Sequence, residues 1–145
     1  CRVRELTTDC CIAGGGPAGM VLGYLLARQG VDVIVLEKHA DFLRDFRGDT
    51  VHPSTLQAFH EMGLLDRLLE RPHQRTEIVS VIIEGRPFRV ADFRRLPVVA
   101  PYIAMMPQWD FLDRLADAGR GLPGFRLLMS TEAVACRTDV GEVTG

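Results

Sequence analysis

The stretch CCIAGGGPAGM, Cys10 to Met20, places three consecutive glycines, a proline and a fourth glycine directly behind a short apolar run. Glycine loses the most backbone freedom on folding and proline removes a donor, so such a cluster needs a local reason. The reason read here is a phosphate. Gly14, Gly16 and Gly19 form G-x-G-x-x-G, the spacing that a dinucleotide-binding turn requires between a strand and a helix. The first glycine permits the tight turn, the second lets the main chain approach a pyrophosphate, and the third lets the helix lie close to the strand. The helix start then offers N–H groups without partners and the positive end of its dipole.

Both flanks fit that reading. Thr8 to Ala13 reads as a short strand and PAGMVLGYLLARQ, from Pro17 to Gln29, as a helix. Pro17 suits the first turn and Gly30 the position just past the end. VDVIVLE, Val31 to Glu37, is a β-branched run of the kind buried on both faces of a parallel sheet. Gly23, four residues beyond Gly19, falls on the same helical face and extends the close approach. Glu37 ends the second strand about 20 residues beyond the loop, where a carboxylate accepts hydrogen bonds from the hydroxyls of an adenosine ribose. A carboxylate there repels a 2′-phosphate, which favours FAD or NAD over NADP. The residues alone leave FAD and NAD both open.

Further along, HPSTLQAFHEMG reads as a helix opened by Pro53 and Ser54, with Leu56, Phe59 and Met62 at helical spacing and Gly63 as its stop, and LLDRLLE as a second short helix. From Thr76 to Arg94 the pattern changes to strands joined at EGRP. PYIAMMPQ is the expected returning strand, QWDFLDRLADAG a helix with Trp109, Leu112 and Leu115 toward one face, FRLLMS a third parallel strand, and EAVACRTDVGEVTG the start of a hairpin.

The totals narrow the class. A chain of 145 residues with 47% hydrophobic content can bury one core, and its longest apolar runs fall far short of the roughly 20 residues of a membrane span. A net charge of −2 gives no global attraction to nucleic acid or to an anionic membrane, and Arg94 and Arg95 are expected to be solvated. No basic leader precedes an apolar segment, so a soluble, cytoplasmic protein is expected. Cys1, Cys10, Cys11 and Cys136 lack zinc-site spacing, and Cys10 and Cys11 are expected to pack in a buried strand. His39, His52, His60 and His73 are scattered and read as surface or loop residues, not metal ligands. Asp110, Asp113 and Asp117 read as a solvated helix face.

The order GGGPAGMVLGYLLARQGVDVIVLEK, then DFRGDTVHPSTLQAFHEMGLLDRLLE, then MPQWDFLDRLADAG resembles the N-terminal part of the FAD-dependent monooxygenases of the aromatic-hydroxylase, para-hydroxybenzoate hydroxylase-like, family. The resemblance implies an α/β fold: a Rossmann-like FAD-binding βαβ unit with a parallel sheet, plus the first strands of a β-sheet substrate domain. Its divisions would be residues 1–75 for the βαβ unit and following helices, 76–106 for the excursion toward the substrate domain, and 107–145 for the return. It implies that the turn (Gly14, Gly16, Pro17, Ala18, Gly19) and Glu37 with Lys38 hold the ADP half of FAD, and that Arg47 of FRGDT lies along the cofactor. Gln108 matches a position that reaches the ribityl or phosphate region, and equally suits a local cap at its helix start. Asp49 and His52 share a loop that could face the flavin, and no side chain is assigned as catalytic or as a metal ligand.

The implied reaction draws electrons from NADH or NADPH and one oxygen atom from O2, and gives that atom to an aromatic or similarly electron-rich small molecule. Two later family segments, an Asp-Gly and a Gly-Asp motif that complete the cofactor site, do not occur within these 145 residues. With its start at Cys1 and its stop at GEVTG, the chain is expected to be a fragment of a longer enzyme and inactive by itself.

Overall fold

A computed structural model describes residues 5–43, 49–139 and 142–143. The chain divides into two compact units, one formed by Cys1–Phe42 with Leu115–Gly145 and the other by Leu43–Arg114.

The first unit opens with strand β1 (Cys10–Ala13), helix α1 (Pro17–Arg28) and strand β2 (Val33–Leu36). Gly16 caps the helix in an extended conformation, and Pro17 takes its first position. Its end is a Schellman motif: the Gly30 amide donates to the Ala27 carbonyl at 3.0 Å and the Val31 amide to Leu26 at 3.1 Å. That closure needs a left-handed residue, which Gly30 supplies at φ +86°. β1 and β2 pair in parallel with Cys10 opposite Val33 and Ala13 opposite Leu36. Both strands are shorter than the periodicity suggests, and Glu37 lies just past the end of β2.

The second unit begins with strand β3 (Thr50–Val51), helix α2 (Pro53–Glu61) and helix α3 (Leu65–Leu69). α2 stops as α1 does: Gly63, at φ +74°, donates to His60, and Leu64 donates to Phe59. Strand β4 (Gln74–Thr76), strand β5 (Ile78–Ile83), strand β6 (Arg86–Asp92) and strand β7 (Ile103–Met105) follow. β5 and β6 form a hairpin across Glu84 and Gly85, both at positive φ, the two-residue turn whose twist matches that of the strands. β7 lies between β3 and β4, antiparallel to each. β3 was not expected; its two residues carry no periodicity of their own and become a strand only by pairing with β7. Phe59, Leu56, Leu68 and Met106 are almost fully enclosed, each contributing roughly 2 kcal/mol by leaving water, and the Phe59 and Phe111 rings pack with centroids 4.7 Å apart.

Arg94 is not simply solvated. Its guanidinium grips Asp92 through Nε at 2.9 Å and Nη2 at 2.7 Å, just past the end of the hairpin, where Asp92 also caps a 3-10 turn over Phe93–Arg95.

Helix α4 (Gln108–Arg120) leads from the second unit back to the first, where strand β8 (Phe125–Leu128) joins β2 in parallel. The sheet order is β1-β2-β8, so β2 is central and its Val33, Ile34 and Val35 are buried. Strands β9 (Thr138–Asp139) and β10 (Glu142–Val143) form the expected antiparallel pair. The buried-strand reading of the cysteines needs correction: Cys10 is half-buried and Cys11 exposed. Side chains alternate along a strand, and Ile12, which reaches toward Gly19 of α1, shares its face with Cys10 and not with Cys11.

Candidate functional site

The glycine turn is closed from below and open above. Gly14 takes φ +112°, and its amide donates to the Leu36 carbonyl at 2.8 Å, which ties the start of the turn to the end of β2. A Cβ on Gly19 would collide with the Gly14 carbonyl oxygen and stand 3.2 Å from Ile12 Cγ2, so the third glycine sets how closely helix and strand approach. Gly23 continues that seam, its missing Cβ standing 2.7 Å from Val35 Cγ2.

Gly14 and Gly16 differ in kind. An added Cβ at either would meet nothing within 4 Å, so the absence of side chains leaves clear space over the turn. The Met20 amide donates to the Gly16 carbonyl at 2.9 Å, the first helical bond, and the amides of Ala18 and Gly19 precede it, where an α-helix has no internal acceptors. The first turn carries no acidic residue and Gly16 supplies no side-chain cap. Space, amide donors and dipole together fit the pyrophosphate of an adenine dinucleotide.

Glu37 stands beside this turn and is 3% exposed. Its Oε2 accepts from the Gly15 amide at 3.0 Å. Its Oε1 accepts from the His39 amide at 2.9 Å and lies 2.6 Å from the ring Nδ1 of His39. A buried carboxylate is tolerated only when so partnered. The backbone is held as well, since the Glu37 amide donates to Leu128, the Thr131 amide donates to Glu37 and the Ser130 amide donates to His39. The ladder between β2 and β8 therefore runs on past both strands.

Two residues here escaped the sequence reading. Gly15 is one of the variable positions of G-x-G-x-x-G, yet its absent Cβ would fall 2.8 Å from Glu37 Cβ. His39, expected at the surface or in a loop, is exposed in the bend after β2, and its ring also rests on Glu37; the spacing Glu-x-His carries no established signature.

The remaining expected residues are placed separately. Pro17 and Ala18 begin α1, and Lys38 is exposed beside Glu37. Arg47 lies outside the described residues. In the second unit Gln108 is half-buried at the start of α4, the Asp49 carbonyl accepts from the Met106 amide at 2.8 Å, and His52 is the exposed N-cap of α2. Among the described residues no helix is long and apolar enough to cross a membrane, and no three His, Cys, Asp or Glu side chains are grouped to hold a metal.

The family described as FAD binding domain matches residues 7–145. The chain belongs to that family. Among its relatives, a 6-methylpretetramide 4-monooxygenase of Streptomyces rimosus is 30% identical over 138 residues, covering 95% of this chain and 33% of that protein. A rifampicin monooxygenase of Streptomyces venezuelae is 32% identical over 136 residues, covering 94% and 28%. The solved structure of an anhydrotetracycline hydroxylase of Streptomyces rimosus superposes with a TM-score of 0.79 at 26% identity, over 95% of this chain and 27% of its own. The chain thus spans about a third of the length of the curated relatives it matches, and corresponds to the FAD-binding portion of a family whose named members include monooxygenases and hydroxylases.

Proposed function

We propose that this chain binds the ADP half of FAD within a monooxygenase that uses NADH or NADPH and O2 to hydroxylate an aromatic or similarly electron-rich small molecule. The balance is one substrate C–H, O2, NAD(P)H and a proton giving C–OH, NAD(P)+ and water. The observation that carries the reading is the open turn at Gly14 and Gly16 with the buried Glu37 carboxylate pinned to its Gly15 amide. Bound FAD supplies the redox and oxygen chemistry, so the protein's task is position, polarity and exclusion of water.

On this reading the Ala18 and Gly19 amides meet the pyrophosphate, Pro17 fixes the helix start without using a donor, and Gly16 admits the ligand close to the main chain. Glu37 receives the adenosine ribose, and its charge turns away a 2′-phosphate. Lys38 adds positive charge beside the adenosine end. Arg47 and Gln108 are assigned through the family resemblance alone. The β5–β6 hairpin, with Ile82, Phe88 and Val90 exposed, is assigned to the substrate-side sheet. A cytoplasmic location follows from the supply of reduced nicotinamide there.

The test is the whole protein, purified and assayed for bound flavin, NAD(P)H oxidation, oxygen uptake and hydroxylated product with a panel of phenolic and polycyclic aromatic compounds. Bound FAD with substrate-dependent oxygen uptake and a product heavier by one oxygen atom is expected. Protein without flavin defeats the cofactor assignment. Flavin that turns over without oxygen incorporation defeats the monooxygenase assignment and leaves a dehydrogenase.

A further inference from the structure

We infer that His39 is a positioning residue for the adenosine end of the cofactor: its imidazole fixes the Glu37 carboxylate in the orientation that meets the ribose hydroxyls. The inference rests on the FAD reading above and adds a residue that the family motif does not contain.

The two oxygens of Glu37 are held differently. Oε2 accepts from a main-chain donor, the Gly15 amide at 3.0 Å. Oε1 takes the His39 amide at 2.9 Å and the His39 ring at 2.6 Å. An ionised carboxylate has no hydrogen to give, so the Nδ1 facing it is the donor nitrogen of the ring. A charge-assisted bond of this kind is among the stronger polar contacts available. His39 can make it because its own backbone is anchored at both ends: its amide reaches Glu37 and its carbonyl accepts from the Ser130 amide at 2.9 Å. Ser130 itself is held at φ +53°, which bends the chain after β8 back toward the segment that follows β2.

The consequence is a carboxylate whose torsion is set before the ligand arrives. A glutamate with three side-chain torsions otherwise loses rotamer freedom when it binds a sugar, and fixing it beforehand removes that loss from the binding step. The His39 ring is 45% exposed and the Glu37 side chain 4%, so the ring is the part of the grip that can be altered without opening a core.

The experiment measures the affinity of the whole apoprotein for FAD and for an FAD analogue with a 2′,3′-dideoxyribose in its adenosine half. His39→Ala should weaken FAD roughly tenfold, the loss of one hydrogen bond to a charged group, and leave the analogue unchanged, because that ligand has no hydroxyls for Glu37. His39→Asn carries an amide nitrogen on the same carbon as Nδ1 and should restore FAD binding. His39→Gln places its nitrogen farther out, where Nε2 was, and should not. Thermal melts of the apoproteins identify any variant that loses its fold, and the Asn and Gln pair decides the matter if Ala does. Equal losses for FAD and the analogue, no loss at all, or equal behaviour of Asn and Gln would overturn the role of His39 while leaving the FAD reading intact. Wild-type protein that binds no FAD would remove both.

Discussion

Gly15 and Glu37 fit against each other without room for a methyl group: the amide of one donates to Oε2 of the other at 3.0 Å, and a Cβ on the glycine would stand 2.8 Å from the glutamate Cβ. Gly15 is not at positive φ, so the obstacle to a side chain is Glu37 and not the backbone. Gly15→Ala should displace the carboxylate and weaken FAD by about tenfold or more, as read by calorimetric titration of the whole apoprotein. An alanine variant with unchanged affinity would show that the Glu37 position does not matter.

Gly16 and Gly19 should separate binding from stability. Gly16→Ala meets open space at an extended backbone, so its urea midpoint should stay near wild type while FAD affinity falls, because the methyl occupies the space over the turn. Gly19→Ala drives a methyl into the Gly14 carbonyl and should cost about 1–3 kcal/mol of folding stability as well. Parallel denaturation and binding curves check the pair, and identical behaviour of the two would contradict the assigned roles.

Ser130→Gly should stabilise the protein. Serine at φ +53° carries a strain that glycine lacks, and the greater freedom of glycine in the unfolded chain offsets part of the gain. A net increase of about 0.5 kcal/mol is expected, visible as a small rise in Tm. A fall would mean that the serine side chain does more than the backbone geometry shows.

Asp92 should titrate low. The Arg94 guanidinium bonded to it pulls its carboxyl from 3.8 down to about 2. The sign follows from linkage: a pKa depressed in the folded state adds stability that is complete above the unfolded value and is lost as pH falls through the folded one. The hairpin end should therefore loosen between about pH 4 and pH 2 and not above. Carbon-detected NMR of the Asp92 carboxyl gives the titration directly, and Arg94→Gln should return it toward the ordinary value. A midpoint near 4 in the wild type would remove the pair.

What was legible in the sequence was local. Pro17, Gly30, Pro53 and Gly63 mark where helices start and stop because cap chemistry is decided within a few residues, and the apolar run at Val33–Leu36 marks a buried parallel strand because nearly all of its side chains must leave water. The glycine spacing was legible for the same reason. What the sequence concealed depends on partners far along the chain. Thr50–Val51 becomes a strand through Ala104 and Met105, Gly15 must be glycine because of a side chain 22 residues away, and the backbone of His39 is held beside Glu37 by the distant Ser130 amide. Cys11 misled because a run of apolar residues does not say which face of an edge strand is covered.

The nucleotide-binding sheet is assembled from both ends of the chain, with Val33 beside Phe125 and the whole of Leu43–Arg114 forming a body of its own in between. During synthesis β1 and β2 leave the ribosome together, but the free edge of β2 waits until β8 has been made, a delay on the order of seconds. An open, apolar parallel edge is a template for wrong pairing, and a compact intervening body shortens the tether that β8 must close once it has been made.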